Sequence, residues 1–422
     1  MTRPARAAVE SADIAMVGAG PAGMMASVAA AEHGRQVLVV EQLDRPGVKL
    51  LATGGGRCNL TNTLAPGPFM ARFGRHGRFM QPALAAFDAT ALRGMLDALS
   101  APTHAPDGVH VYPVSNSAVT VQAALWRRMK ERRVILRCGV HVTGLWVEEG
   151  VLRGLETDGS RLTAPRVVLA AGGRGYPALG GTGTGFVLAK QAGHTLVEPT
   201  PALVPLVTRE KWPADCAGVS LAGARVWIDL PKQPKAGLVG DVLFTHKGVS
   251  GPAVLDLSGD VAELLAGGRA EVPLCIDLTP GTSAAEWTAR FDRWQRVGGG
   301  ETFRGLLDRY LPKSLATAVV RLAGIDPIGR PAQVSRPQRR AATGLLTAMP
   351  LTVVDTEGWD HAMVTRGGVT LKEVDPRTLQ SRRLPGLFLA GEILDLDGPS
   401  GGFNLQWAFS SGRLAGLSAA TL

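Results

Sequence analysis

Cysteine is scarce in this chain of 422 residues. The four present, Cys58, Cys138, Cys216 and Cys275, lie far apart and form no C-x-x-C pair. That argues against a disulfide framework and against a dithiol redox centre, and it fits a reducing, cytoplasmic setting. No run of about 18 uninterrupted apolar residues occurs, so no membrane span is expected. The start, Met1 to Ser11, carries basic residues but no adjacent apolar core of the signal-peptide kind, and reads as a frayed tail. No sequence period of about 20 to 50 residues recurs, which argues against a solenoid. No metal site is expected.

Glycine is in excess: 53 of 422 residues, against a usual share of about 7%. Many backbone turns must therefore be tight or lie close to a ligand. Lys and Arg number 45 against 36 Asp and Glu, a net of +9. That surplus leaves phosphate-rich partners open without identifying one.

Ile14 to Val17 is a short apolar run ending at Gly18, Met24 to His33 is alanine-rich and helix-favouring up to Gly34, and Val37 to Val40 is a second apolar run ending in Glu41. This is a β-α-β unit with the apolar strands of a covered parallel sheet, and it predicts an α/β fold. Thr120 to Arg133 reads as a basic amphipathic helix. Val134 to Glu148 and Val151 to Thr157 read as meander strands, and Val167 to Ala170 as a buried strand. From about residue 197 prolines and short strand-like runs, Ala224 to Leu230 and Glu271 to Leu278, suggest an inserted β-rich domain over 197–354, with a helical subdomain at about 280–335. The arginine-rich segment at 336–340 reads as a link back to a first domain made of 1–196 and 355–422. There Leu387 to Ala390 forms another strand and Phe403 to Leu417 a closing helix.

Gly18-Ala19-Gly20-Pro21-Ala22-Gly23 is a G-x-G-x-x-G between strand and helix, and Glu41 follows 18 residues after its last glycine. Gly18 permits the tight turn, Gly20 lets a pyrophosphate approach the backbone, and Gly23 allows close helix packing; Glu41 can accept hydrogen bonds from a ribose. NAD and FAD both use such a cradle. Two further strands end in small residues, Ala170-Ala171-Gly172 and Gly391-Glu392. They suit a flavin whose ribityl chain runs along the sheet. No second G-x-G-x-x-G with strand and acid follows, so a nicotinamide donor, NAD(P)H, would visit the flavin transiently.

Lys49 to Asn62, with Gly54-Gly55-Gly56-Arg57-Cys58-Asn59, resembles the G-G-G-R-C-N-x-T-N signature of the bacterial BaiN/YhiN-type flavoproteins, which include aminoacetone oxidase-like members. The similarity continues through Gly172 to Phe186, Leu243 to Ala253, and Gly391 to Gly412 with Gly402-Phe403-Asn404-Leu405-Gln406. The resemblance implies a glutathione-reductase-like FAD-binding Rossmann domain split by an inserted β-barrel-like domain with helices. It implies that Gly54 to Asn59 and Gly402 to Gln406 flank the isoalloxazine ring, where backbone N–H groups stabilise the reduced flavin. Lys49 belongs to the same segment, and Val142 matches a position that holds the adenine through backbone. Members resembling this chain reduce conjugated double bonds in steroids, reduce a uracil ring in ribosomal RNA, or oxidise small amino-ketones. The chain departs from the usual pattern at Gly175, Thr184, Phe186 and Phe403, where relatives carry Ser, Asp, Tyr and Tyr. No relative's substrate is therefore transferred.

Side chains with competing roles remain. Cys58 is either a redox thiol or loop packing. His246 is a candidate proton donor, since histidine titrates near neutrality, or a domain-contact residue. Tyr176 either donates a proton or covers the ring. The basic run Arg127 to Arg133 and Arg336 to Arg340 could each meet phosphates. The expected function is FAD-dependent oxidoreduction, with hydride passing from NAD(P)H through flavin N5 to an unsaturated small molecule at the domain interface. Alternatives are uracil-ring reduction in RNA, amino-ketone oxidation and, in a different class, a flavin sensor without turnover. No DNA or membrane partner is expected.

Overall fold

The computed structural model describes residues 10–297 and 299–422. The chain forms two compact units, residues up to Pro199 with Val364–Leu422, and Thr200–Met363.

In the first unit five strands form a sheet in the order Leu387–Leu389, Arg166–Leu169, Ile14–Val17, Val37–Glu41, Ile135–Cys138. Every pairing is parallel. The order places the first strand at the centre, so the chain reverses direction beside it and leaves a crevice at the strand ends, the Rossmann arrangement. The central strands are buried throughout because helices cover both faces. Helix Pro21–Glu32 follows the first strand and is overlaid by the closing helix Phe403–Thr421. Their backbones nearly touch: a Cβ at Gly412 would stand 2.3 Å from the Ala22 carbonyl oxygen, and one at Gly416 would stand 2.2 Å from that of Ala26.

Two expectations change here. Val134 to Glu148 is not one meander strand: Ile135–Cys138 joins the edge of the parallel sheet, and only Val142–Glu148 pairs antiparallel with Val151–Thr157. An edge strand is half exposed, so its alternation imitates a meander. Of the expected tail, Met1 to Val9 lies outside the described residues, whereas Glu10–Ser11 is a short strand parallel to Ser160–Thr163.

The second unit holds a closed barrel of six strands, in the order Leu206–Thr208, Gly248–Ser250, Leu238–Phe244, Ser220–Ile228, Val272–Asp277, Met349–Thr356. The expected return at residue 355 falls inside the last of these, which closes the barrel by pairing with both Val272–Asp277 and Leu206–Thr208. The segment at 336–340 is not a link but the start of helix Arg336–Thr347. Ser335 caps it by accepting the Gln338 N–H, and the Gln338 side chain accepts the Ser335 N–H. That helix packs beside helix Ala284–Val297, whose Trp287 and Phe291 are buried in the unit's core.

Candidate functional site

Helix Pro21–Glu32 starts at Gly20, whose backbone is extended (φ −75°, ψ −177°) and brings no side-chain cap. The first-turn N–H groups are thus left for an outside acceptor. Gly18 sits at φ +97°, where a Cβ would meet the Ala170 carbonyl oxygen at 2.6 Å; one at Gly23 would stand 1.9 Å from the Gly18 carbonyl oxygen. Gly20 differs, with no atom within 4 Å of its Cβ position. Two glycines thus serve packing, and the third keeps a space open before the helix end, as a pyrophosphate requires. Glu41 is buried beside it, accepting the Ala19 N–H at 2.7 Å on Oε2 and the Leu43 N–H at 3.0 Å on Oε1. Each oxygen keeps a lone pair for a ribose hydroxyl. Val142 opens the outermost strand of its sheet, so half of its backbone polar groups face away from a strand partner.

In the 54–59 loop Gly54, Gly55 and Gly56 lie at φ +57°, +65° and +86°, and Cys58 at +62°. This left-handed run turns the backbone sharply, which glycine tolerates best. Cys58 is fully buried and burial pushes its thiol up to about 12, which favours loop packing over a redox thiol. Arg57 is exposed and lies over the Tyr112 ring at 5.3 Å. Lys49 pairs with Glu392 at 3.2 Å, and Glu392 also accepts the Thr365 N–H at 2.9 Å. Glu392 crowds Gly173 as well, two residues beyond Ala171, where a Cβ would stand 2.6 Å from its Oε1. Gly172 turns there at φ +72°.

The second loop meets the first. Asn62 Nδ2 donates to the Gly401 carbonyl at 3.1 Å, across 339 residues of sequence, and a Cβ at Gly402 would stand 2.5 Å from the Thr61 carbonyl oxygen. Gly391 donates its N–H to Ser411 Oγ at 2.9 Å and accepts from Trp407 Nε1 at 3.2 Å. Phe403 packs on Phe69 and Phe73. Asn404 spends its amide on Gly398 and Pro399. Gln406 is fully buried and donates to the Phe87 carbonyl and to Ser410 Oγ. These three shape the loop, while Leu405 is half-buried beside them.

Two buried acceptors in these loops, Asn59 Oδ1 and Gln406 Oε1, have no donor among the described residues. A buried acceptor left alone costs about 1–3 kcal/mol, so each implies a missing partner. An isoalloxazine ring carries one N–H donor in its pyrimidine half. The open space at Gly20, the acid at Glu41 and the orphaned Asn59 acceptor therefore fit FAD.

Tyr176 holds a left-handed backbone (φ +55°) before the turn Pro177–Leu179, and its hydroxyl has no hydrogen-bond partner among the described residues. His246 is exposed on the turn between the barrel strands Leu238–Phe244 and Gly248–Ser250, in the second unit. A histidine that sequence reasoning did not single out stands in the first unit. His110 Nδ1 lies 2.6 Å from Asp107 Oδ2, and its Nε2 is 3.0 Å from the Cβ position of Gly401. Asp107 also accepts the N–H groups of Val109 and His110, and bonding to the His110 ring holds its carboxyl well below the usual range. The only sequence signal is an Asp three residues before a His, which is too common to select.

Fold and site together define an FAD-dependent oxidoreductase of the Rossmann class. The chain belongs to the HI0933-like family, whose Rossmann-domain model matches residues 12–418. It is 34% identical to the 3-dehydro-bile acid delta(4,6)-reductase of Clostridium scindens, covering 96% of this chain and 98% of that protein. It is 29% identical to the ribosomal RNA dihydrouridine synthase of Escherichia coli K12, covering 96% of each. Its fold is similar to that of the 3-ketosteroid-delta4-(5alpha)-dehydrogenase of Rhodococcus jostii RHA1, with TM-score 0.54, 16% identity and 99% of both chains covered.

Proposed function

We propose that the protein is a reductase of small molecules bearing a carbon–carbon double bond conjugated to a carbonyl, with NADH or NADPH as the electron source. The observation that carries this reading is the meeting of the two glycine-rich loops at Asn62 and Gly401 beside the His110–Asp107 pair. The 34% identity to a bile acid reductase supports the same chemistry. FAD, when bound, supplies hydride at N5 to the β-carbon of such a substrate. The uncapped end of Pro21–Glu32 would hold the pyrophosphate, Glu41 the ribose and the Val142 backbone the adenine. Backbone amides at Gly54–Asn59 and Gly402–Gln406 would hold the ring. His110, oriented through Nδ1 by Asp107, would hold a proton at Nε2 for the α-carbon, and Tyr176 would cover the ring. His246 stands as a second donor candidate on the barrel unit. Four unpaired cysteines support a reducing, cytoplasmic setting.

The test is anaerobic mixing of the FAD-loaded protein with NADH or NADPH. Bleaching of the flavin absorbance is expected with at least one of them, followed by its return on adding a 3-oxo-4,6-diene bile acid. No bleaching with either nucleotide refutes the reductase reading.

A second reading, reduction of a uracil ring in RNA, is favoured by the 29% identity to a ribosomal RNA dihydrouridine synthase. A dihydrouridine map of ribosomal RNA that is unchanged in a deletion strain refutes it.

A further inference from the structure

The surplus positive charge is not spread evenly. Residues 280–347, the helical part of the second unit, carry eleven Arg and Lys against five Asp and Glu, so a net of +6 out of the chain's +9 falls within this one segment. The basic run at 127–133 behaves differently. Arg128 and Arg413 bind Glu32 at 2.7 and 3.1 Å, Arg132 lies 3.9 Å from the same carboxylate, and Arg127 pairs with Glu131 at 4.0 Å. Burial alone would raise the Glu32 carboxyl, but its bonds to Arg128 and Arg413 outweigh that and hold it below the usual range. Each of these four arginines thus has a carboxylate beside it, although they share only Glu32 and Glu131 and the run keeps a net positive charge.

In the helical segment three of the five acids sit in ion pairs while several arginines remain without one. Asp292 pairs with Arg339, Glu301 with Arg309 and Asp308 with Arg304. Arg293, Arg296, Arg330, Arg336 and Arg340 are exposed, with no carboxylate in ion-pair reach among the described residues. They are gathered by packing. Helix Ala284–Val297 lies against both helix Arg336–Thr347 and the turn Pro331–Gln333 that Arg330 begins. The Asp292–Arg339 bridge at 3.4 Å pins the two helices together. Arg296 is four residues beyond Asp292, on its face, and Arg336 and Arg340 are four apart on the other helix. The free arginines therefore flank the bridge. Val297 and Ile328, each 78% exposed, stand one residue after Arg296 and two before Arg330.

We propose that this arginine face of the helices Ala284–Val297 and Arg336–Thr347 is a docking surface for the phosphodiester backbone of RNA. The five cations of this face are all arginine, whose planar fork binds phosphate oxygens in pairs and stacks on bases. A membrane surface is a poorer match, because it needs a helix that turns an apolar face to solvent. Both helices bury theirs, with Trp287, Phe291, Ala342 and Leu346 in the core. The choice of RNA as the polyanion rests on the uracil-ring reading; the surface itself rests on the unpaired charge.

The test uses the full-length FAD-loaded protein and a fluorescein-labelled RNA stem-loop of about 30 nucleotides, long enough to span more than one turn of helix. Five phosphate contacts predict that log K falls against log salt with a slope of about −3.5 to −4.5. The triple variant Arg296→Ala, Arg336→Ala, Arg340→Ala is expected to flatten that slope by about two to three units and to weaken binding at least about tenfold near 0.1 M salt. The control Arg127→Ala, Arg132→Ala is expected to bind as the parent does. FAD content and bleaching by NAD(P)H are read on every variant and should not change, which shows that the triple variant is folded. The proposal is overturned if the parent's slope is shallower than about −1, if the triple variant binds like the parent, if the control loses binding instead, or if phosphatidylglycerol vesicles displace the RNA. RNA binding that depends on these arginines, together with an unchanged dihydrouridine map, would sink only the uracil-ring reading. Failure to bleach with NAD(P)H while RNA still binds would sink both reductase readings and leave the docking surface standing.

Discussion

Gly20 and Gly23 lie three residues apart in one motif, yet the structure gives them different work, and alanine at each should fail differently. At Gly20 the backbone angles suit any residue and no atom lies within 4 Å of the new Cβ. Losing glycine from a helix cap costs a few tenths to about 1 kcal/mol, and stiffening the unfolded chain returns about 0.4–1 kcal/mol. Apo stability should therefore move by less than about 1 kcal/mol. The added methyl does occupy the space before the helix end, where it holds a pyrophosphate away from the first-turn N–H groups. Loss of one charge-assisted hydrogen bond is worth about 1.5–3 kcal/mol, or a rise of roughly 10 to 150-fold in the Kd for FAD. At Gly23 the Cβ would stand 1.9 Å from a backbone oxygen that cannot swing aside. Overpacking of that kind costs about 1–3 kcal/mol or more, and exceeds the roughly 1 kcal/mol that alanine gains in a helix interior. The assay is urea unfolding of the apoprotein, paired with FAD titration followed by quenching of flavin fluorescence. Gly20→Ala binding FAD within about twofold of the parent refutes the cradle. Gly20→Ala and Gly23→Ala destabilised alike would refute the division of roles.

His110→Ala should lower flavin reoxidation by a 3-oxo-4,6-diene bile acid by about 10² to 10⁴, the usual worth of a general acid. Flavin reduction by NAD(P)H and the Kd for FAD should hold; stopped-flow measurement of the two half-reactions separates these, and an equal loss in both rejects the role. In the native protein only Cys138 should react promptly with Ellman's reagent, since Cys58, Cys216 and Cys275 are buried. Burial pushes the thiols of Cys58 and Cys275 up to about 12 and about 11. All four should react in denaturant, and two or more prompt native thiols would contradict the burial. Stability should fall in acid through a cluster in the first unit. His194 is buried, with its ring bonded to Glu373 at 3.2 Å and to Ser381 at 2.8 Å, and burial lowers its pKa despite the Glu373 bond. The unfolded chain therefore binds that proton first as pH drops below about 6.5, and stability declines from there. Arg383 holds Glu373 down to about 2, so its contribution is present above about pH 4.3 and is lost on the way to pH 2. His194→Gln should flatten the fall in Tm between about pH 7 and 5; an unchanged slope rejects the assignment.

What the sequence made legible follows the range of the interactions involved. The cradle could be read because Gly18, Gly20, Gly23 and Glu41 act within one β-α-β unit, so spacing along the chain is spacing in space. Ile135–Cys138 could not, because its parallel partner Val37–Glu41 lies about a hundred residues away and an edge strand shows a meander's alternation. Helix Arg336–Thr347 is legible in principle from Ser335 and Gln338, a capping box, but its density of arginine and proline is also that of a linker. His110 was hidden for a stronger reason. Its position opposite Asn62 is fixed by a small sheet of Thr61–Asn62, His110–Pro113 and Thr103–His104, and its place near Gly401 by the Asn62 hydrogen bond. No local pattern encodes either.

The same long-range closure explains why the motif at the start of the chain depends on its end. Helix Pro21–Glu32 offers its N-terminus to a phosphate only while that terminus is held still, and its outer face is apolar and alanine-rich. The closing helix Phe403–Thr421 covers that face, approaching so closely that Gly412 and Gly416 leave no room for a Cβ against Ala22 and Ala26. Gly391, which binds Ser411 and Trp407 of the closing helix, also meets Ala22, one residue from Gly23. The cradle and the 401–406 loop are therefore two ends of one packed pair of helices. A substitution at Gly412 should weaken FAD binding although that residue lies outside both glycine-rich loops. Gly412→Leu should lose FAD affinity and apo stability together, whereas Gly20→Ala loses affinity alone. Loss of stability by Gly412→Leu with unchanged FAD affinity in the folded fraction would break the mechanical link between the two ends.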